Sequence, residues 1–518
     1  MSWQPEIDEL RKREELGRRM GGAEKVKRHR DLGKLTVRER VAKLLDPGTF
    51  HEYGALAGAV KYENDKMVEF RPANFVMGTG KINGRMVVVG GDDFTVRGGA
   101  ADASIGNKHG YAERMAQDLH IPIIRLVDGT GGGGSVRSFE TLKRTYVPEM
   151  ATFEVIVKVL GEVPVIAGCM GSVAGIGAAR VAASHFSVMV RGTSQLFVAG
   201  PPVVKWGTGE DLTKEELGGS EIHAHGSGAV DNEVENEEEA FAQIKRYLSY
   251  FPQNIWQVPP HQKSDDRPDR REEELLSIIP RNRRQGYDAR RMVELVVDRD
   301  SFFEMAPFFG PSLITGFARI DGFPVGVMAN DPYFIAGSLD ADASDKMVKF
   351  VDLCDTFHLP VANFVDQPGF LIGREAEMRG TIRHGARALY AVFQATTPWV
   401  AIMVRKAFGV AGAGHGNTSM VNLRYAWPSA DWGSLPIEGG IEAAYKRDLA
   451  ASPNPEKLRA ELEAKFNLAR SPIRTAEAFD IKEIIDPRDT RPLLCEWVHQ
   501  AYEIIPTQLG PRLRAMRP

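Results

Sequence analysis

The sequence predicts an α/β protein made of two tandem copies of one domain. Three matched blocks carry that prediction. His120-Ile121-Pro122-Ile123-Ile124-Arg125-Leu126-Val127-Asp128 returns as His358-Leu359-Pro360-Val361-Ala362-Asn363-Phe364-Val365-Asp366, 238 positions on. Gly78-Thr79-Gly80-Lys81-Ile82-Asn83-Gly84 returns at the same offset as Gly316-Phe317-Ala318-Arg319-Ile320-Asp321-Gly322. Upstream, Val41-Ala42-Lys43-Leu44-Leu45-Asp46 with Phe50 and Glu52 matches Val293-Glu294-Leu295-Val296-Val297-Asp298 with Phe302 and Glu304, 252 positions on. Blocks repeated in one order mark a duplication, and 518 residues suffice for two cores.

In chain order, residues 8–30 alternate charges at helical spacing and predict one exposed helix, either a solvated arm or a surface for a partner. The same segment carries both signs of charge and no apolar run, which argues against a signal or transit peptide. Short apolar runs at 75–77, 86–90 and 123–127, each bounded by Gly or Asp, predict strands. Residues 108–119 predict the helix between the last two. Such alternation implies buried strands. The acidic run 231–239 reads as the solvated start of a helix continuing through 240–247. Residues 251–286 carry Pro252, Pro259, Pro260, Pro268 and Pro280 and the charge-dense 265–274, which is a linker composition. The predicted domains are 1–260 and 286–518, with a linker at 261–285.

Composition narrows the function classes. A balance of 65 basic against 69 acidic residues, net −4, argues against a nucleic-acid footprint. Cys169, Cys354 and Cys495 are too scattered for a zinc ribbon or a disulfide framework and point to a reducing compartment. No run reaches the ~18 apolar residues of a membrane helix. The expectation is a cytoplasmic protein (mitochondrial matrix if eukaryotic) with no nucleic-acid or membrane partner.

Two glycine-rich turns are the candidate chemistry. The first, Gly168-Cys169-Met170-Gly171-Ser172-Val173-Ala174-Gly175-Ile176-Gly177, follows an apolar strand at 163–167 and leads into a helix. Small residues there let backbone N–H groups approach a ligand, as in an oxyanion hole; a tight packing turn is the alternative. The second, Phe408-Gly409-Val410-Ala411-Gly412-Ala413-Gly414-His415-Gly416, occupies the corresponding place in copy two. Counting from Pro164 and Pro398 sets Gly175 opposite Val410, 11 and 12 residues on.

Other features carry less. Gly131-Gly132-Gly133-Gly134 lacks the Walker lysine and the Rossmann spacing, and reads as a wall of the site. Turns at 90–93, Thr95 and Gly98-Gly99, and at Asn330, Asp331 and Gly337, are either ligand-facing or ordinary. His223 and His225 lack a third metal ligand and read as a surface loop, so no metal site is expected. His415 is either an acid/base or a polar wall residue.

Several motifs together carry a family resemblance. They are Gly33-Lys34-Leu35-Thr36-Val37-Arg38-Glu39-Arg40, Asp93-Phe94-Thr95-Val96-Arg97-Gly98-Gly99, Thr208-Gly209-Glu210-Asp211, Glu216-Leu217-Gly218-Gly219, Phe364-Val365-Asp366-Gln367-Pro368-Gly369-Phe370 and Arg405-Lys406-Ala407-Phe408-Gly409. From about residue 30 onward the chain resembles the carboxyltransferase (β) subunits of biotin-dependent acyl-CoA carboxylases, the group that includes the propionyl-CoA and methylcrotonyl-CoA enzymes. The resemblance implies two crotonase-like domains, the first holding an acyl-CoA and the second, from a neighbouring protomer, holding biotin. It implies that the amides of Gly175 and Ile176 hold the thioester oxygen during enolate formation, and that those of Val410 and Ala411 steady the biotin ureido oxygen. Carboxybiotin would release CO2, the biotin anion would take the α-proton, and the enolate would attack CO2. Gly98, Gly99, Gly337, Ala413 and His415 are then expected around the substrate, and Gly369, Phe370 and Gly409 around biotin.

Departures from the family pattern bear on the acyl group. The usual Asp-Ser-Gly-Gly-Ala is here Asp128-Gly129-Thr130-Gly131-Gly132, and the usual glycine pair of the first hole is Gly175-Ile176. Val410 replaces a glycine of the second hole, and the small Ala413 implies room for a longer or branched chain. Residues 373–377 are nearer the methylcrotonyl branch. No biotin-acceptor Met-Lys-Met and no ATP-grasp signature is present, so biotin is expected on a partner, the biotin carboxylase/carrier (α) subunit. A dimer-based homo-oligomer, hexameric in relatives, is implied. A biotin-dependent decarboxylase and a non-catalytic scaffold subunit are the alternatives.

Overall fold

Strands Phe75–Ile82 and Arg85–Asp92 turn back on each other through Asn83 and Gly84, at φ 50° and 80°, the pairing that a tight two-residue hairpin requires. Both turn amides donate to the Asp46 carboxylate, at 3.0 and 2.8 Å. The second hairpin, Leu313–Ile320 with Phe323–Asn330, repeats the device through Asp321 and Gly322, whose amides donate to Asp298 at 3.0 and 2.8 Å. The register repeats as well: Val88 pairs with Ile123 and Gly326 with Val361. His120 and His358 both close their helix–strand junctions in the left-handed region, at φ 51° and 59°.

The computed structural model describes residues 2–513 apart from 133–135, 137, 148, 418–420, 422 and 468. It divides into two units, Met1–Ile255 and Trp256–Pro518. In the first, strands run in the order His51–Tyr53, Phe75–Ile82, Arg85–Asp92, Ile123–Val127, Val165–Cys169, Phe186–Val190, Asn232–Val234. The first three are antiparallel neighbours and the rest are parallel. In the second, Phe303–Met305, Leu313–Ile320, Phe323–Asn330, Val361–Gln367, Trp399–Phe408, Leu423–Ala426 and Glu483–Ile484 repeat that order and those senses. Every residue of Ile123–Val127, Val165–Cys169 and Val361–Gln367 is buried, as strands covered on both faces must be. The α/β fold expected from the repeat is what forms.

The structure corrects several expectations. Residues 8–30 are two helices, Gln4–Arg18 and Ala23–Asp31. Gly21 and Gly22 separate them: Gly22 sits at φ 92°, and a Cβ on Gly21 would lie 2.0 Å from the Thr95 carbonyl oxygen. The acidic run is partly interior, not solvated. Asp231 is buried and accepts from Ser187 N and Oγ, while Glu237, 5% exposed, holds Arg40. Residues 261–285 are irregular yet packed on the second unit. Arg270 donates to the carbonyls of Leu295 and Val297, and Leu275 is buried in that unit's core. Between Asp431–Gly433 and the edge strand Glu483–Ile484 stand the helices Ile437–Ala444, Lys446–Ala451, Pro455–Asn467 and Pro472–Glu477, where the first unit has Pro201–Thr208, Lys214–Gly218 and the turn Glu221–Gly226 before its own edge strand.

Candidate active site

The first glycine turn grows out of strand Val165–Cys169. After Gly171 the chain forms a short side strand, Ser172–Ala174, parallel to Gln195–Phe197. Gly175 then takes φ 63°, ψ −126°, a mirror-image extended conformation open to glycine alone, and aims the chain into helix Ile176–Ala182. Nothing lies within 4 Å of where a Gly175 Cβ would be. Gly175 and Ile176 are exposed, with Ile176 at 42%.

The side strand redistributes the amides. The Gly175 N–H donates to the Phe197 carbonyl at 3.2 Å, continuing the ladder between the two side strands. Gly175 is thus the residue that makes the turn. The amides presented by the first turn of the helix, which has no carbonyl upstream to receive them, start at Ile176 and continue with Gly177. Of the expected pair, Gly175 has its N–H engaged by this ladder.

In the second unit, strand Trp399–Phe408 is continuous, its last residues pairing with Asp431–Gly433. It runs into Gly409, at φ 62°, and the short helix Gly409–Ala413. Gly409 is therefore the counterpart of Gly175, and Val410 that of Ile176. Counting from the prolines sets Gly175 opposite Val410; matching the left-handed φ values, 63° and 62°, sets it opposite Gly409. Val410 is 60% exposed and Ala411 buried, so the side chain of Val410 points away and its N–H remains in the turn. Ala413 is exposed.

The other residues expected around the ligands lie in turns. Arg97-Gly98-Gly99 and Ile335-Ala336-Gly337 each form a run at positive φ, 53°, 65°, 62° and 41°, 57°, 84°. For a β-branched residue such as Ile335 this is strained backbone, held in the turn Ile335–Gly337. The amides of Gly98, Gly99 and Gly337 are spent inside these turns, on the carbonyls of Phe94, Val96 and Phe334. Gly369 donates to Gln367 Oε1 at 2.9 Å, and the Phe370 ring fills the notch at Gly385, where a Cβ would lie 2.4 Å from it. His223 and His225 sit on the turn Glu221–Gly226, bonded to Leu196 O and Glu233. Among the described residues no three His, Cys, Asp or Glu are placed to hold a metal ion. Gly133 and Gly134 of the four-glycine run lie outside the described residues.

His415 faces inward. Its Nδ1 donates to Gly412 O at 2.6 Å, and its own carbonyl accepts from Asn363 Nδ2 and Trp399 Nε1. Burial pushes its pKa below the ordinary histidine value of 6.5, more than the Gly412 bond raises it. The ring is neutral in the fold and protonates more readily in the unfolded chain. Its contribution is present above pH 6.5 and is lost as pH falls through the depressed folded value. Urea midpoints at pH 7.5 and 5.5 should therefore differ less for His415→Gln than for the unchanged protein; equal differences would remove His415 from the acid limb.

Sequence reasoning missed the brace under the first turn. Arg40 is 1% exposed and bridges Asp128 Oδ2 at 2.8 Å to Glu237 at 2.8 and 2.9 Å, with a further bond to Met170 O. A Cβ on Gly171 would lie 1.9 Å from Asp128 Oδ1, so the carboxylate and the turn share one tight space. The second unit places a buried Asp366 at the equivalent position, bonded to Arg405 Nε at 2.9 Å and to Lys406 N at 3.0 Å. Arg40 and Arg405 were both within the quoted motifs; their burial was not legible there. Cys169, beside the turn, is no nucleophile, since burial pushes its thiol up to about 12.

The pattern of Carboxyl transferase domains matches residues 28–504, which spans both turns. This chain belongs to the carboxyl transferase domain family. The carboxyltransferase chain is 35% identical over 499 residues to the propionyl-CoA carboxylase carboxyltransferase subunit of Haloferax mediterranei, covering 95% of each. It is also 35% identical over 475 residues to the methylmalonyl-CoA decarboxylase subunit alpha of Veillonella parvula, covering 91% of each. The crystal structure of transcarboxylase 12S, a hexamer with methylmalonyl-coenzyme A and methylmalonic acid bound, superimposes with a TM-score of 0.88 at 30% identity. That match covers 100% of the carboxyltransferase chain and 98% of 12S, so the duplicated crotonase-like architecture extends over the full length.

Proposed function

We propose that this chain is the subunit that places a carboxyl group on the α carbon, or the vinylogous γ carbon, of an acyl-CoA. The observation carrying the reading is the paired turn, one glycine at φ near 60° in each unit, each leading exposed backbone amides into a short helix. Ile176 and Gly177 N–H groups are assigned to the thioester oxygen. When the α-proton leaves, negative charge grows on that oxygen, and preset donors stabilise it without reorganisation, at about 3 kcal/mol each. Neither His415, which is turned inward, nor Cys169, which is held as a thiol, is placed as a base.

The second turn fits a flat polar ring. Val410 and Ala413 stand exposed, and the nearest atom to a Gly409 Cβ position is Ser434 O at 3.4 Å. Biotin, carried on an α-type partner subunit, would supply the carboxyl group there and then the base. Val410 and Ala411 amides are assigned to its ureido oxygen. A homo-oligomer, dimer-based and hexameric, is proposed for the assembly. Ile382, Tyr390 and Phe393, exposed on helix Thr381–Gln394, support burial against another chain.

The test is labelled carboxyl transfer by the full-length protein with a biotinylated partner, across acetyl-, propionyl-, methylcrotonyl-, geranyl- and longer acyl-CoA. Transfer to at least one thioester is expected, by a preparation that sediments as an oligomer, and none from ATP and bicarbonate without the partner. Failure on every thioester sinks the reading. Net CO2 release from a carboxylated thioester would instead favour a decarboxylase, the activity named for the Veillonella relative.

A further inference from the structure

The helix that follows the first turn ends on a second buried group of charges. Arg125 and Glu113 are wholly buried and Arg180 is 5% exposed. Arg125 stands in the middle of strand Ile123–Val127, and Glu113 meets it from helix Lys108–Leu119. The pair is bidentate: Arg125 Nε and Nη2 donate to the two Glu113 oxygens at 2.8 and 2.9 Å. Arg180 Nη2 donates to the same carboxylate at 3.5 Å. Burial opposes a charge on Glu113, yet the two guanidiniums hold its pKa below the ordinary carboxylate value.

The third nitrogen of Arg125 turns to the backbone. Its Nη1 donates to the carbonyls of Arg180 and Ala183, at 2.9 and 2.6 Å. Both lie at the C-terminal end of helix Ile176–Ala182, where carbonyls have no further helical amide to accept from. A cation suits that end, which is the negative pole of the helix. The helix is short. Its seven residues span about 10 Å and would not hold together unaided. The amides presented at Ile176 and Gly177 therefore point only as accurately as the far end is anchored.

The duplication supplies a comparison. The repeat sets Arg125 opposite Asn363, and Asn363 Nδ2 donates to the His415 carbonyl at 2.8 Å, just past the helix Gly409–Ala413 of the second turn. One strand position thus holds the trailing end of the turn helix in both units. The same offset sets Glu113 opposite Val351, a buried apolar residue. The second unit uses a neutral side chain where the first uses a guanidinium locked by a carboxylate.

We propose that Arg125, locked by Glu113, is a positioning residue for carboxyl transfer: it anchors the carbonyl end of helix Ile176–Ala182 and so fixes the aim of the Ile176 and Gly177 amides. The proposal rests on the acyl-CoA reading above. It gives a role to a buried ion pair that the transfer chemistry does not itself use.

Two variants of the full-length protein test it, assayed with a biotinylated partner and a thioester that the unchanged protein carboxylates. Arg125→Lys keeps a cation beside Glu113, but an ammonium lacks the planar fork that reaches a carboxylate and two carbonyls together. Its kcat is expected to be about tenfold lower or more, with KM within about threefold, because misaimed donors are felt chiefly in the transition state. Glu113→Gln loosens the guanidinium without stranding a carboxylate, and should lower kcat in the same way by less. Amide hydrogen exchange in residues 176–182 should quicken in both variants, while the hairpin at 313–330 keeps its rates. Val159→Ala, which opens a cavity in the first unit's core, is the stability control: its urea midpoint should fall with kcat unchanged.

Full kcat in both folded variants overturns the assignment, as does unaltered exchange at 176–182. A loss carried by KM would put Arg125 in substrate binding, and an equal kcat loss in Val159→Ala would reduce its role to stability; either result also overturns it. If Arg125→Lys does not fold, Glu113→Gln decides alone. Failure of the unchanged protein to carboxylate any thioester would overturn the acyl-CoA reading, and the exchange comparison would then uphold or overturn the anchoring by itself.

Discussion

Gly175→Ala is expected to lower kcat for carboxyl transfer by about 10²-fold or more, while changing KM for the acyl-CoA much less. The methyl has room, since nothing lies within 4 Å of the Cβ position. What it lacks is an allowed backbone: φ 63°, ψ −126° is closed to alanine, at a cost of about 1–3 kcal/mol. The easiest relief is rotation of the neighbouring peptides, which swings the Ile176 N–H off the oxygen it is assigned to hold. An interaction made chiefly in the transition state is lost, so the effect falls on kcat. Global stability should fall by no more than the strain itself. Single-turnover transfer beside urea unfolding checks both, and a Gly175→Ala protein with full kcat would remove the turn from the chemistry.

Arg40→Met should carry the largest stability effect. It leaves Asp128, wholly buried, and Glu237, 5% exposed, without their shared cation. Breaking a buried pair from one side costs on the order of 3–5 kcal/mol, because the remaining charges stay desolvated. Two carboxylates are stranded here. Adding Asp128→Asn and Glu237→Gln should recover part of the loss by removing those charges. The unfolding midpoint of the full-length protein reads this directly. A shift of the single variant under about 1 kcal/mol would mean that water reaches the site and the brace is weak.

How much of this was legible depends on how local each cause is. The strands around 75–77 and 86–90 were readable from their short apolar runs, and the helix at Lys108–Leu119 and strand at Ile123–Val127 formed where the pattern put them. The helical arm was misread at Gly21, whose need for a glycine comes from the distant Thr95 carbonyl. The acidic run was misread for the same kind of reason: Glu237 is interior only because Arg40 meets it, 197 positions away. A cleft lined by Lys25, Arg28, Lys34, Arg97 and Lys214 was invisible, since these residues come from four segments that nothing in the chain order brings together.

By itself, the sequence determined that one α/β design occurs twice, since periodicity, turn chemistry and matched blocks are properties of neighbouring residues. It also determined that each copy ends a strand in a glycine turn. Only the tertiary structure decided which amides those turns present. The Gly175 N–H is taken by Phe197, a residue of another strand, so the open donors begin at Ile176 and the true counterpart of Gly175 is Gly409. A backbone donor is free or taken according to what packs beside it, and no local pattern of residues states that.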